Sequence, residues 1–565
     1  MALLENSQHS HRRLAFRALL DQLRVNPATV GTRVQPEEAW RVLAEAERRD
    51  ADVVADILMY PTVGVWLTRA LHHTRAGRGT PWAELGYLHL IAASAAIRCG
   101  YQCTIRVPVW RGFVSLPTVG HLRLPGAFPS GSVDVACAGA GSRAHVNRAV
   151  TIPLDGTDPA FTPTRRHVNT SRGVTMCVWV EDRDAYHGFG DPVPPVVLTD
   201  AESSEWHKLL DEAWDVLTLD HPRHARELAA GLRMVVPIEP DSDTIGASSP
   251  AAFGGVRMSA NASATEFAEA LMHELQHSKL NGLMGLVKLV EDDGGRYLAP
   301  WRDDPRPLAG LVHGVYAFTC GVEFWLAQEP TAQVHEARRI AFDIAYRRAQ
   351  VRRALGTLAA SGHLTQPGEA LVEAVSARLA VCEQAPVTTM LARTVTTMLD
   401  DHQGLWRLRH VRPDGEAVTA LATAWRDGAP PPSRAVGSHV VTGDERRLPA
   451  NRHALLRARA IDPDLYAALA RVPAELPGTT PRADAALCGG DHAGAATAYE
   501  NRLHDDPEDG QAWVGLGLAL RAQGRNATAL LAHPEVTVAV HRRVRLLTGR
   551  APRPTALSAW LSPSL

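Results

Sequence analysis

The residues His273-Glu274-Leu275-Gln276-His277 combine types and spacing that point to chemistry rather than packing. Two histidines four apart on a helix project to one face, where their rings can grip a single divalent metal ion, and the intervening glutamate reaches the same neighbourhood. A metal so held can act as a Lewis acid that activates water, or as a redox centre that activates dioxygen. With 25 histidines in 565 residues, a chance match to HExxH is expected on the order of a few per cent of the time. Packing alone is therefore a poor account of the motif.

The spacing has meaning only on a helix, and the flanks predict one. Ser263 followed by Glu266 reads as a capping box, and Phe267, Leu271, Leu275 and Leu283 recur at helical intervals as a core-facing stripe. No proline interrupts residues 263–284, while Gly282 and Gly285 weaken the far end, beyond the second histidine. Upstream, residues 253–258 read as a short strand entered through glycine. A strand leading into an HExxH helix is the arrangement that lays an extended peptide beside a metal, so a peptide-handling site is expected.

Composition bounds the alternatives. The chain is 45% hydrophobic and 21% charged, enough for a sizeable core and two or three domains. A formal net charge of −2 gives no general attraction for nucleic acid or an anionic membrane, and neither is expected as a partner. The N-terminus lacks the apolar stretch of a signal peptide, and no segment approaches 18 uninterrupted apolar residues. Cys99, Cys103, Cys137, Cys177, Cys320, Cys382 and Cys488 are odd in number and mostly embedded in apolar runs. The C-x3-C spacing of Cys99 and Cys103, with no second pair nearby, argues against structural zinc or a redox pair, and the expected location is cytoplasmic.

Patterning predicts an α+β protein, mostly helical. Residues 1–100 read as the N-terminal helical part of the catalytic region, with helices over 39–48, 53–71 broken at Pro61, and 82–98. Residues 101–426 read as the catalytic domain, with a small sheet from strands at 103–109, 112–116, 121–124, 174–180 and 196–198, followed by helices at 202–217, 221–232, the motif helix, 308–328, 331–358 and 369–379. Residues 427–449, with Pro430, Pro431 and Pro432, read as a linker. Residues 450–565 read as a C-terminal helical module. Within it, Ala495, Tyr499, Pro507, Trp513, Leu516, Gly517, Leu520 and Ala529 follow a tetratricopeptide-like register that Pro534 breaks, which suits docking of a partner protein.

Two histidines do not complete a metal site. His313, embedded in an apolar helix, is one candidate third ligand and Glu323 is another. The two differ by about 80° around a helix that turns about 100° per residue, so they do not both face one ion. Asp292 and Asp293 are acidic and near, but sit beside Gly294 and Gly295 in what reads as a solvated loop. The residues alone leave the third ligand open.

The run HELQHSKLNGL at 273–283, followed by residues 297–318 with Trp301, Arg302, Arg306 and His313, resembles the HExxH-type peptide-modification proteins that accompany bacterial ribosomally made peptides. That family includes 2-oxoglutarate-dependent peptide β-hydroxylases. The likeness is specific over residues 245–330, looser through 61–66 and 112–120, and absent from the C-terminal helices. It implies an iron(II) centre held by His273, His277 and His313, with 2-oxoglutarate and dioxygen as cosubstrates. The product would be a precursor peptide hydroxylated at a side-chain Cβ. Three protein ligands leave three coordination positions open, which suits a bidentate keto acid and a gas. A carboxylate cosubstrate calls for an arginine fork, with Arg306 held between Pro305 and Pro307 as first choice and Arg302 as second. Glu274 then stands behind the ligands as a catalytic hydrogen-bonding group. Two other readings are carried forward: a zinc(II) peptidase in which Glu274 is the general base, and a non-enzymatic scaffold that docks peptide.

Overall fold

The computed structural model describes residues 1–25, 35–76, 82–124, 130–146, 150–238, 245–260, 263–331, 333–432, 436–443, 448–449, 451–473 and 478–564. The chain is mostly helical with sheets, an α+β protein. It packs as two units, Met1–Val287 and Lys288–Leu565. This division runs through the region expected as the catalytic domain, and residues 1–100, expected as its N-terminal helical part, lie in the same unit as the HExxH helix. One core explains why: side chains from Phe16 and Trp66 through Ile91, Val107 and Val135 to Met234 and Ala252 are buried together.

The first unit opens with helices α1 (Ala2–Val25), α2 (Pro36–Arg49), α3 (Ala51–Leu58), α4 (Pro61–Arg75), α5 (Trp82–Leu85) and α6 (Tyr87–Arg98). Pro61 starts α4 rather than kinking a longer helix, as its missing N–H and fixed φ allow at a first helical position. Strands β1 (Cys103–Trp110), β2 (Phe113–Leu116), β3 (Gly120–Arg123), β4 (Ser130–Cys137), β5 (Arg143–His145), β6 (Thr151–Pro153) and β7 (Phe161–Pro163) form a seven-stranded antiparallel sheet, ordered β6-β5-β4-β1-β2-β3-β7. Next come β8 (Arg165–Ser171), β9 (Val174–Val180), α7 (Asp200–Asp220), α8 (Pro222–Gly231), β10 (Met234–Ile238), β11 (Gly246–Ser248), β12 (Gly255–Ser259) and α9 (Ala264–Met284). Their strands form a second sheet, ordered β11-β12-β10-β9-β8, in which β9, β10 and β12 run parallel while β11 is antiparallel to β12. The small sheet expected from the sequence is thus two sizeable ones.

Residues 196–198, expected as a strand, pair with no strand among those described. The Val196 amide donates to the Asp182 carbonyl and the Leu198 amide to the Asp182 carboxylate, so one residue, Asp182, rather than a ladder holds this segment. Pro237 lies in β10, an interior strand. Pairing with β9 ends at Val235, which leaves one side of Pro237 without a strand that needs its missing donor.

The second unit is helical: α10 (Leu308–Gln328), α11 (Val334–Ala360), α12 (Gln366–Cys382), α13 (Thr389–His410), α14 (Gly415–Arg426) and further helices to Leu561. The expected linker 427–449 falls inside it. Residues 433–435 and 444–447 of that stretch lie outside the described residues, but Ser438–Val440 pairs antiparallel with Val411–Pro413, and the Leu448 amide donates to Asp303 at 2.9 Å. Arg452 anchors the interior of this unit, fully buried between Asp401 and Asp484 at 2.6 and 2.8 Å. Among the described residues no single helix is long and apolar enough to cross a membrane; the bent pair α3 and α4 passes on length and composition together.

Candidate metal centre

Helix α9 begins as its sequence dictates. The Ser263 hydroxyl accepts from the Glu266 amide, and the Glu266 carboxylate accepts from the Ser263 amide and hydroxyl. The helix runs to Met284 and is capped by Gly285. Phe267, Leu271 and Leu275 are buried as expected, and Leu283 is half-buried. Trp206 of α7 packs its ring edge-on against Phe267, with centroids 5.9 Å apart.

On this helix the rings of His273 and His277 stand 78° apart in plane, with their Nε2 atoms separated by 3.1 Å. Two nitrogens each about 2.1 Å from one ion lie about 3.0 Å apart at a right angle and about 3.4 Å apart at the tetrahedral angle. The observed separation falls between these limits, so the spacing suits two donors to one divalent cation. Glu274 brings a carboxylate oxygen within 4.8 Å of both imidazole nitrogens, even though neighbouring positions on a helix point about 100° apart. Its longer side chain makes up the difference.

The surroundings of Glu274 were not legible in the sequence. Gly246, in edge strand β11, lies so close that a Cβ added there would sit 3.1 Å from the Glu274 Cγ and Oε1. Ser248, two residues on and on the same strand face, hydrogen-bonds the carboxyl. Burial pushes the Glu274 carboxyl up to about 7, with Glu269 adding to the rise and Ser248 opposing it. A group balanced there can hold or release a proton near neutrality.

The other sequence candidates belong to the second unit. His313 is half-buried on α10, and burial, followed by the neighbouring Arg306 charge, lowers its pKa, which keeps the ring neutral and its lone pair suited to a metal. Arg306 shares the backbone bridge Tyr297–Arg306, and its guanidinium lies 3.2 Å from Asp304; Arg302 lies 2.6 Å from the same carboxylate. Glu323 is gripped at both oxygens by Arg378, at 2.8 and 2.5 Å. It also lies on the same continuous helix as His313, ten residues or about 15 Å along the axis, so the two do not serve one ion. Asp292 and Asp293 cap their own glycine turn, accepting from Gly294 and Gly295 at 3.1 and 2.9 Å, in keeping with a loop role. In the first unit, Lys279 of the HExxH helix is bonded to Glu227 at 2.7 Å.

Comparison with protein-family models finds no match for this chain, and comparison with curated proteins finds none.

Proposed function

We propose that the protein is an iron(II)- and 2-oxoglutarate-dependent oxygenase that hydroxylates a Cβ in a ribosomally made precursor peptide, working in the cytoplasm. The observation that carries a metal-dependent reading is the 3.1 Å approach of the His273 and His277 Nε2 atoms beside the buried Glu274 carboxyl. The choice of iron over other metals rests on the sequence resemblance. Bound iron would supply dioxygen activation coupled to oxidative decarboxylation of 2-oxoglutarate. In this reading His273 and His277 hold the ion, and His313 is taken as the third donor on the strength of the sequence pattern. Arg306, or Arg302 in its place, would exchange its Asp304 partner for the cosubstrate's distal carboxylate. Glu274 orients hydrogen bonds at the wall of the site and buffers a proton there. The tetratricopeptide-like helices after residue 450 would dock a partner or the peptide itself.

One observation favours a second reading, a zinc peptidase. Glu274 sits against an antiparallel edge strand, with its carboxyl pushed up to about 7, which suits a general base acting on water beside an extended peptide.

The deciding experiment is metal analysis of anaerobically purified protein, followed by incubation with 2-oxoglutarate and then air. Iron content with succinate formed only when both iron and dioxygen are present supports the hydroxylase. Zinc content, no succinate, and zinc-dependent peptide cleavage in the absence of dioxygen would replace it with the peptidase.

A further inference from the structure

The pairing of β1 with β4 places Cys103 directly opposite Cys137, at the start of one strand and the end of the other. Directly opposed residues in an antiparallel pair have Cα atoms about 4.5 or 5.5 Å apart, according to their place in the hydrogen-bond pattern. Both values lie within the about 4.4–6.8 Å span that a disulfide bridges. The two thiols are neighbours whose mutual influence lowers Cys103 and raises Cys137. Cys137 is buried, with its Sγ 3.8 Å from the carbonyls of both Ala93 and Val135, whereas Cys103 is half-buried and open to solvent. Cys99, the sequence neighbour, turns its Sγ to the Asp50 carbonyl at 3.9 Å. The C-x3-C spacing therefore pointed away from the pair that the sheet brings together.

We propose that Cys103 and Cys137 are a covalent modification site, a cross-strand dithiol that closes to a disulfide by exchange with a low-molecular-weight disulfide of the glutathione type. The Cys103 thiolate attacks one sulfur of the reagent, whose S–S bond breaks to release one thiolate. Cys137 then gives up its proton to solvent, and its thiolate attacks the Cys103 sulfur of the mixed disulfide, releasing the second reagent sulfur as a thiolate that takes up a proton. The protein thiols are oxidised to one S–S bond and the reagent is reduced to two thiols. The half-buried Cys103 is the entry sulfur because a reagent reaches it first, and Cys137 resolves because it lies directly opposite on the neighbouring strand. The closed bond joins β1 to β4 within the seven-stranded sheet. Its state follows the ratio of reagent disulfide to thiol around it.

The test uses the full-length chain, incubated folded with oxidised glutathione, quenched in acid, then unfolded and alkylated. The expected result is a loss of about 2 Da per chain, two of the seven cysteines protected from alkylation, and a proteolytic fragment linking residues 103 and 137. Cys99→Ser should leave this pattern intact, and Cys103→Ser should abolish it. The oxidised wild type should also unfold several degrees higher than the reduced form. Seven alkylated cysteines, a glutathione adduct that persists on Cys103 without closure, or a link from Cys103 to Cys99 would each overturn the proposal. The wild-type map decides the matter even where a variant fails to fold.

Discussion

Replacing Glu274 by glutamine isolates the cost of keeping a carboxyl in the wall of the site. The folded protein raises this group from its usual 4.5 to about 7 because it is desolvated, and an amide of the same shape retains a partner for Ser248. Between those two values the folded state binds more protons at Glu274 than the unfolded state does, so stability falls as pH rises. The favourable increment is complete below about pH 4.5 and lost once pH passes about 7. A difference of about 2.5 pH units at about 1.36 kcal/mol each is about 3 kcal/mol in the metal-free protein. Glutamine does not ionise, so Glu274→Gln should match the wild type near pH 4 and exceed it by up to about 3 kcal/mol near pH 8. Urea unfolding of metal-stripped protein at several pH values, followed by tryptophan fluorescence, reads this directly, since Trp206 packs on Phe267 of the same helix. Adding a divalent metal should narrow the gap, because a nearby cation favours the carboxylate. If wild type and variant move in parallel from pH 5 to 8, the burial argument for Glu274 is refuted.

His273→Ala and His277→Ala should each reduce bound metal to background with helix content unchanged by circular dichroism, and His313→Ala should do so as strongly if it supplies the third donor. Glu323→Ala should leave metal content unchanged, since that carboxylate serves Arg378. Arg306→Ala should raise the 2-oxoglutarate concentration for half-maximal succinate formation about tenfold or more while sparing iron; an unchanged requirement moves the role to Arg302. Arg452→Ala should cost about 3–5 kcal/mol in urea unfolding, because it strands Asp401 and Asp484 as buried charges, and a loss under about 1 kcal/mol would contradict that accounting.

Long helices were legible because caps and a 3.6-residue period reinforce each other over many residues, as in α9 with Ser263, Glu266, Phe267, Leu271 and Leu275. The strands were harder to read. β5, β6, β7 and β11 are three residues each, too short to show a period, and β8 is Arg-Arg-His-Val-Asn-Thr-Ser, with scarcely an apolar residue to alternate. β10 carries Pro237, which discounts an interior strand until the early end of its pairing with β9 is known. Residues 196–198 misled in the other direction, since a Val-Val-Leu run is bonded to Asp182 and not to a partner strand. In the site, the histidine pair came from local spacing on one helix. The burial of Glu274 came from Gly246 and Ser248, roughly a helix length away in sequence, where nothing local marks a glycine as making room for a carboxylate. The Cys103–Cys137 pairing was hidden for the same reason, because strand register is a tertiary fact.

The packing of α9 explains why the imidazoles lie where they do. Nearly every residue from Phe267 to Leu280 is buried, on contacts with α1, α7, α8, β11 and β12. Only His273, His277 and Lys279 in that stretch are half-buried, and Asn281 continues the i, i+4 row begun by the two histidines. A helix packed on most sides thus keeps one partly open seam, and the seam holds the rings of His273 and His277. Cap, stripe and strand fix the helix, and with it the backbone positions from which the rings reach their 3.1 Å separation. In small zinc domains, by contrast, the metal's binding energy is consumed in folding the chain. Here apolar burial fixes the helix, so an ion bound at this pair would not have to fold it and could keep the open coordination positions that any catalytic metal centre on this helix requires.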